Sequence, residues 1–164
     1  MRKLRAIVSS AVFFVMAPCV FGAVIPWWIT GWEMQPASDP VRYLGAVLIV
    51  LPLPVLVDSF RRFAVEGLGT PAPVAPTQHL IVTGYYRYVR NPMYLAVSCA
   101  LVGQALLFTS PWLAVYSVCF AAACHMFVII YEEPTLSLRF GAAYKAYRKA
   151  VPRWIPRRTP WKGD

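Results

Sequence analysis

Acidic side chains and histidines are scarce in this sequence. The 164 residues include seven Asp and Glu and two His, against 16 Lys and Arg. None of the four cysteines forms a CxxC pair, and all of them lie in apolar runs: Cys19, Cys99, Cys119 and Cys124. This distribution argues against a structural zinc site and against a disulfide framework. We therefore predict no metal site.

Charge is also missing from long stretches of the chain. No formal charge lies between Ala6 and Trp28, and none lies between Asn91 and Tyr131. Hydrophobic residues make up 59% of the sequence, whereas about half is usual in soluble domains. The basic residues flank the apolar runs, which favours contact with anionic lipid headgroups over nucleic acid. We expect an integral membrane protein that binds no nucleic acid.

The apolar runs predict an all-α membrane protein with four transmembrane helices in a single domain, residues 1–164. An α-helix needs about 20 apolar residues to cross the hydrocarbon core. The first run is longer than a usual signal-peptide core, so we expect it to be an uncleaved span. The predicted spans are 6–28, 41–60, 92–109 and 111–131, with a cytoplasmic loop at 61–91 and a cytoplasmic segment at 132–164.

Turn residues divide and bend these spans. Pro52 and Pro54 interrupt backbone hydrogen bonding in the second span, so we expect a bend there. Thr109-Ser110-Pro111 is a compact turn signal, so the last two spans should form a tight helical hairpin. With four spans, every basic residue except Arg42 falls on one side. The positive-inside rule then places both termini in the cytoplasm, and we expect a bacterial inner membrane.

Arginine, tyrosine and asparagine gather where the third span begins. Arg90 and Asn91 come directly before Pro92, which suits the first helical turn, and Asn91 is a good helix cap. A helix N-terminus beside arginine can bind a carboxylate or phosphate. An interfacial anchor of Tyr and Arg is the alternative. Upstream, Gly67 and Gly69 could allow close backbone approach to a ligand or could simply be a flexible loop exit.

Two adjacent carboxylates, Glu132 and Glu133, follow the fourth span. At the edge of a membrane helix, two charged carboxylates raise the free energy of the fold unless they are solvated, paired or bound to a cation. The alternative is a helix-start signal, since acids followed by Pro134 suit a helix N-terminus. Residues 134–151 predict an amphipathic helix on the inner membrane surface, which could serve as an anchor or as a lid over a site.

The ordered motifs resemble the isoprenylcysteine carboxyl methyltransferase family and the related phospholipid N-methyltransferases. The motifs are Gly67-x-Gly69-Thr70-Pro71, Thr83-Gly84-x-Tyr86-Arg87-x-x-Arg90-Asn91-Pro92-Met93-Tyr94, Glu132-Glu133-Pro134-x-Leu136, Arg139-Phe140-Gly141-x-x-Tyr144-x-x-Tyr147 and Val151-Pro152-Arg153. The resemblance covers residues 58–156. It implies a methyltransferase that uses S-adenosylmethionine, bound on the cytoplasmic side of the bundle.

The resemblance also implies which residues bind this cofactor: Arg90, Asn91, Pro92, Tyr94, Tyr86, Glu132, Glu133 and Tyr144. Carboxylates suit the ammonium or ribose diol of the cofactor, and arginine with helix N–H groups suits its carboxylate. Many family members have histidine at the position of Asn91. Because asparagine hydrogen-bonds but does not ionise at neutral pH, this departure argues against acid–base work at this position.

The methyl acceptor should be lipophilic or embedded in the membrane, and its class decides which side chains act on it. A carboxylate acceptor, as in a prenylcysteine-like substrate, needs only a cation such as Arg87 or Arg153. An amine acceptor, as in a phospholipid, must lose a proton, for which Glu66, Asp58 or His125 are candidates. The alternatives are a membrane reductase that uses a nicotinamide cofactor and a non-catalytic scaffold or transporter subunit. The sequence predicts no oligomeric state.

Overall fold

The computed structural model describes residue 16, residues 19–66 and residues 79–163. This part of the chain is helical and contains no β-strand. A 3₁₀ turn, Gly84–Arg87, precedes the fourth helix, and a π-helical turn, Val128–Glu132, joins the last two. The helices are α1 (Val20–Thr30), α2 (Asp39–Val50), α3 (Leu53–Val65), α4 (Pro92–Leu107), α5 (Pro111–Phe127) and α6 (Glu133–Ala150).

Several of these helices are apolar enough for a membrane. By length and composition, Asp39–Phe63 and Pro111–Ala150 can each cross a bilayer, while Val20–Thr30 and Pro92–Leu107 are shorter apolar helices. Large apolar side chains face outward, and Trp28 is 82% exposed. Most of the first predicted span lies outside the described residues. The count of four spans and the placement of both termini stay predictions.

The prolines of the second span interrupt its helix, although Leu51 and Pro52 keep right-handed helical angles; the expected bend stays a prediction. A turn at residues 51–52 separates α2 from α3, and Pro54 lies in the first turn of α3, where its missing N–H is tolerated. Helix α3 then continues to Val65, five residues past the predicted end of the span. Arg62 explains this extension, because it pairs with Asp58 and Glu66 one turn away on either side.

Helices α4 and α5 form the predicted hairpin. Thr109 has a positive φ of 51°, and the Ser110 hydroxyl accepts a hydrogen bond from the Leu113 N–H at 3.3 Å. This cap satisfies one free donor at the start of α5. The tight connection returns the chain antiparallel, so the end of α5 lies near the start of α4.

Two glycines allow α2 to pack closely on α4. A Cβ atom at Gly45 would lie 2.7 Å from the Gly103 carbonyl oxygen, and one at Gly103 would lie 2.7 Å from the Gly45 oxygen. Backbones approach this closely only where side chains are minimal, which is a common arrangement in membrane helix pairs. The contact fixes α2 and α4 against each other.

The predicted C-terminal helix follows the fourth span without a helical break at residues 131–132. Helix α5 continues through the π-turn into α6, so that Pro111–Ala150 is one 40-residue helical segment. The π-turn changes the hydrogen-bond register, and Pro134 falls in the first turn of α6, where proline is tolerated. The direction changes instead at Gly141, with φ 52° and ψ −121°, a conformation that glycine adopts readily. That α6 lies on the membrane surface stays a prediction.

Residues 151–163, which we call the C-terminal strap, run back along the segment that precedes α4. The Arg90 N–H donates to the Pro152 carbonyl at 3.0 Å, and the Trp161 N–H donates to the Arg87 carbonyl at 2.9 Å. The buried side chains of Tyr144, Tyr147 and Val151 pack near Trp161. The strap therefore joins the end of α6 to the start of α4.

Candidate active site

The start of α4 and the start of α6 meet at an ion pair. Arg90 Nη1 donates to Glu133 Oε1 at 3.0 Å, and the two side chains are each only 9% exposed. The same nitrogen lies 3.2 Å from the Tyr144 hydroxyl. The hairpin closes the sequence distance between Arg90 and Glu133, as its topology predicts.

A second arginine, from the C-terminal strap, binds the same carboxylate. Arg153 Nε donates to Glu133 Oε1 at 2.5 Å, and Arg153 Nη2 donates to Glu133 Oε2 at 3.0 Å. Two parallel bonds of this kind are the strongest geometry for an arginine–carboxylate pair. Burial opposes ionisation of Glu133, but the Arg153 hydrogen bonds and the charges of Arg90 and Arg153 outweigh it, so its pKa is lowered.

Glu132 lies next to Glu133 in the chain but has a different environment. Its Oε1 accepts a hydrogen bond from the Tyr94 hydroxyl at 2.6 Å. Among the residues that the structure describes, no Arg, Lys or His lies within ion-pair distance of it. Burial raises the pKa of Glu132. The hydrogen bond from Tyr94 lowers this pKa and the negative charge of Glu133 raises it, so that the net shift is upward. A bound cation would stabilise the charged form.

One buried donor of the site has no protein partner. Arg90 Nε is inaccessible to solvent and makes no hydrogen bond within the described part of the chain. An unpaired buried donor costs about 1–3 kcal/mol, so a ligand acceptor at this atom would be favourable. The site thus has an unpaired donor, Arg90 Nε, on the arginine that binds Glu133, and a carboxylate without a cation, Glu132, at the next position of the chain.

Asn91 has a structural role that the sequence did not predict. It is the N-cap residue of α4, but its side chain makes no capping hydrogen bond, so the expected capping by its side chain is wrong. Its Nδ2 instead donates to the Arg153 carbonyl at 3.2 Å. The following Pro92 is fully buried. Asn91 therefore holds the C-terminal strap, and with it Arg153, against the start of α4.

Tyr86 lies within electrostatic range of Glu132, but in the described part of the chain it makes no hydrogen bond to Glu132, Glu133 or Arg90. Its carbonyl accepts a hydrogen bond from the Tyr147 hydroxyl at 2.7 Å, and its ring meets Phe63 edge-on at 5.9 Å. Tyr86 is buried between α3 and α6. In this structure its contacts connect helices, whereas a cofactor contact stays only a prediction.

Five side chains were predicted to act on the acceptor, and of these Arg153 alone contacts the acidic cluster, by which we mean Glu132, Glu133 and Arg90; there Glu133 binds it. Asp58 pairs with Arg62. Arg87 Nε donates to the Trp161 carbonyl at 2.6 Å. Glu66 accepts from Arg62 at 2.8 Å and from the Thr83 hydroxyl. None of these contacts connects Arg87 or Glu66 to the acidic cluster.

His125, on α5, is paired with a residue that sequence reasoning missed. Trp154 Nε1 donates to His125 Nδ1 at 2.8 Å, and the two rings lie 5.8 Å apart. This bond requires the neutral tautomer in which the proton is on Nε2, and it occupies the lone pair that a general base would use. No spacing in the sequence connects these residues, because Trp154 belongs to the irregular strap.

Comparison with known proteins shows to which family the chain belongs. The sequence model described as phospholipid methyltransferase matches residues 41–143, which is more than half of the chain and includes Arg90, Glu132 and Glu133. No curated protein matches the chain. The earlier resemblance is confirmed at the level of the family: this chain belongs to the phospholipid methyltransferase family.

Proposed function

We propose that this protein is an S-adenosylmethionine-dependent methyltransferase that acts on a lipophilic or membrane-embedded acceptor. The observation that carries the proposal is the buried Glu132 carboxylate, which has no cationic partner among the described residues. It is next in the chain to Glu133, which binds Arg90, and Arg90 Nε has no hydrogen-bond partner among the described residues. Family membership supports methyl transfer as the reaction.

The residues of the cluster fit the chemistry of this cofactor. Its ammonium, or its ribose diol, matches the carboxylate of Glu132, while its carboxylate matches Arg90 Nε and the free N–H groups at the start of α4. Glu133 is neutralised by two arginines, so it has less need of a further cation. The cofactor would supply an electrophilic methyl group for a single displacement step.

The protein groups then act mainly by positioning. Tyr94 orients the Glu132 carboxylate through its 2.6 Å hydrogen bond. Glu133 binds Arg90 and is itself held by Arg153. The buried Tyr144 lies beside Arg90. Methyl transfer requires little covalent chemistry from the enzyme, so orientation of the reactants contributes most of the acceleration. The 9% exposure of Arg90 and Glu133 supports a site that excludes water.

The acceptor is either a carboxylate, as in a prenylcysteine-like molecule, or the amine of a phospholipid. A carboxylate acceptor needs no proton removal. An amine acceptor needs a base, and the three candidates are all engaged: Asp58 and Glu66 pair with Arg62, and His125 Nδ1 accepts from Trp154. Contacts with Arg62 or Trp154 would have to open before a candidate base could accept a proton.

The test is methyl transfer by purified protein in detergent or nanodiscs. Tritiated S-adenosylmethionine is incubated with a prenylcysteine, with phosphatidylethanolamine and with small lipophilic acids, and label in the lipid phase is counted. We expect label in one acceptor class, with loss of at least tenfold in Glu132→Gln because a charge-assisted contact is removed. Glu33→Gln, the same change at an exposed acid in the segment between α1 and α2, should retain the wild-type rate.

Absence of label in every acceptor, together with absence of S-adenosylhomocysteine binding, would overturn this function. Equal activity of Glu132→Gln and wild type would refute the assigned site and leave methyl transfer as the function. Binding of a nicotinamide nucleotide in place of S-adenosylhomocysteine would support the reductase alternative.

A further inference from the structure

The C-terminal strap contacts the helical segment on both sides of the π-turn Val128–Glu132. Arg153 binds Glu133, the residue directly after the turn, with bonds of 2.5 and 3.0 Å. Trp154 binds His125, which lies on α5 three residues before the turn begins, with a hydrogen bond of 2.8 Å. Two neighbouring residues of the strap thus hold positions that would lie about 12 Å apart along an α-helix.

The π-turn carries the carboxylate that is assigned to the cofactor. Glu132 is its last residue, and the Glu133 N–H that closes the turn donates to the Val128 carbonyl, five residues back. In an α-helix this bond reaches four residues back, and each residue turns the chain by about 100°. The π-turn therefore contains one residue more than an α-helical turn, and such turns are frequent at functional sites.

The direction of the Glu132 side chain depends on this extra residue. Glu132 Oε1 accepts a hydrogen bond from the Tyr94 hydroxyl of α4 at 2.6 Å. If the π-turn closed to α-helical register, the residues after its extra residue would rotate by about 100° relative to α5. Glu132 could not then keep its contact with Tyr94. Contacts that hold the turn on both sides therefore also hold this carboxylate.

The strap can hold the turn because it is fixed to α4. The Arg90 N–H donates to the Pro152 carbonyl at 3.0 Å, and Asn91 Nδ2 donates to the Arg153 carbonyl at 3.2 Å. Arg153 then fixes the beginning of α6, and Trp154 fixes the end of α5. Without the Trp154 bond, the strap would hold only the side of the turn that follows Glu132.

The atoms of the Trp154–His125 bond decide which replacements preserve it. Indole Nε1 can only donate, so His125 Nδ1 is the acceptor and its proton is on Nε2. Phenylalanine at position 154 keeps an aromatic ring but loses the donor. Asparagine at position 125 offers an amide oxygen bonded to Cγ, as Nδ1 is, whereas leucine offers no acceptor.

We propose that Trp154 and His125 are positioning residues for Glu132. Together with the Arg153–Glu133 pair, their hydrogen bond keeps the π-turn in its register and directs the Glu132 carboxylate toward the cofactor. This inference rests on the proposed function, because Glu132 is the group through which both residues act. A wild-type protein that binds no S-adenosylhomocysteine would refute the proposed function and this inference together. Weaker binding by Glu132→Gln with unchanged binding by Trp154→Phe would refute this inference alone.

Isothermal titration with S-adenosylhomocysteine tests the proposal. Trp154→Phe should bind about fivefold more weakly than wild type, since it removes one hydrogen bond that fixes Glu132. Trp112→Phe, the same change at an exposed tryptophan of α5, should bind like wild type. In the Glu132→Gln background, Trp154→Phe should cause no further loss, because the carboxylate through which it acts is absent. A general loss of structure would weaken binding in both backgrounds.

The matched variants at position 125 test the same bond from its other end. His125→Leu should weaken binding as Trp154→Phe does, and His125→Asn should restore most of the affinity because an acceptor is retained. If Trp154→Phe does not fold, this pair of variants decides the question.

Nitrogen NMR without any ligand provides a second measurement. The chain has only two histidines, so protein labelled with ¹⁵N-histidine gives few signals. His125 should show the tautomer with its proton on Nε2 in wild type, and its Nδ1 signal should shift in Trp154→Phe but not in Trp112→Phe.

Four results would overturn the proposal. They are equal affinity of Trp154→Phe and wild type, an equally large loss in the Glu132→Gln background, equal losses in His125→Leu and His125→Asn, and a His125 Nδ1 signal that Trp154→Phe leaves unchanged.

Discussion

Replacing Arg153 with glutamine removes the two-pronged contact between the C-terminal strap and the buried Glu133. The contact consists of bonds of 2.5 and 3.0 Å to a carboxylate that is 9% exposed. Hydrogen bonds to charged groups contribute about 1.5–3 kcal/mol, and Arg90 still neutralises part of the charge in the variant. We expect the free energy of unfolding to fall by about 2 kcal/mol.

The dependence of this loss on pH identifies its cause. Because the pKa of Glu133 is lowered from 4.5, its ion pairs stabilise the fold above the unfolded value. The stabilisation is lost as the pH falls through the lower, folded value. Wild type and Arg153→Gln should therefore differ most near neutral pH, and the difference should shrink as the pH falls below 4.5 and Glu133 becomes protonated.

Thermal unfolding in detergent, followed by circular dichroism, measures both effects. A double-mutant cycle of Arg153→Gln with Glu133→Gln should give a coupling energy of about 1–2 kcal/mol. Arg139→Gln should melt like wild type at every pH. A coupling energy of zero, or a difference between wild type and Arg153→Gln that persists unchanged at low pH, would refute the ion-pair reasoning.

Three further predictions follow from other contacts. Gly103→Ala places a Cβ 2.7 Å from a backbone oxygen and should destabilise the fold by about 1–3 kcal/mol in thermal unfolding, whereas Gly22→Ala, with no atom within 4 Å, should have little effect. Asn91→Ala loses the 3.2 Å bond to the Arg153 carbonyl and should lower the unfolding free energy by about 1 kcal/mol; an unchanged melting curve would contradict this role. Affinity for S-adenosylhomocysteine should rise with pH as Glu132 ionises, with a midpoint above 4.5 because its pKa is raised; calorimetry at several pH values tests this, and the dependence should be absent in Glu132→Gln.

The hairpin and the meeting of its ends could be predicted from the sequence. Thr109-Ser110-Pro111 marks the connection, and an antiparallel pair of helices returns the chain from the start of α4, near Arg90, to the same end of the hairpin, near Glu133. The same logic applies to the interruption of the helix at Pro52 and Pro54, because proline restricts the backbone locally. These features depend on local chemistry and topology alone.

The different environments of Glu132 and Glu133 could not be predicted in this way. They depend on which arginines reach which carboxylate, and Arg153 belongs to an irregular strap with no periodic pattern. The continuous helix through Pro134 was also missed, because a π-turn has no recognisable sequence signal here. The bend at Gly141 has a residue that permits it, but glycine alone does not require a bend.

The pairing of Trp154 with His125 is another contact that could not be predicted from the sequence. Sequence reasoning treated His125 as a candidate base from its position in an apolar helix. Its partner lies 29 residues further along the chain, in the strap. The ion pairs of Arg62, in contrast, could have been predicted from the sequence, because Asp58 and Glu66 lie four residues before and after it on one helix.

Isothermal titration of the detergent-purified protein with S-adenosylhomocysteine tests the central claim most directly. We expect wild type and Glu33→Gln to bind with equal affinity, and Glu132→Gln to bind at least tenfold more weakly, because the carboxylate without a cationic partner is the one assigned to the ligand. Absence of binding by wild type, or equal binding by wild type and Glu132→Gln, would contradict the account.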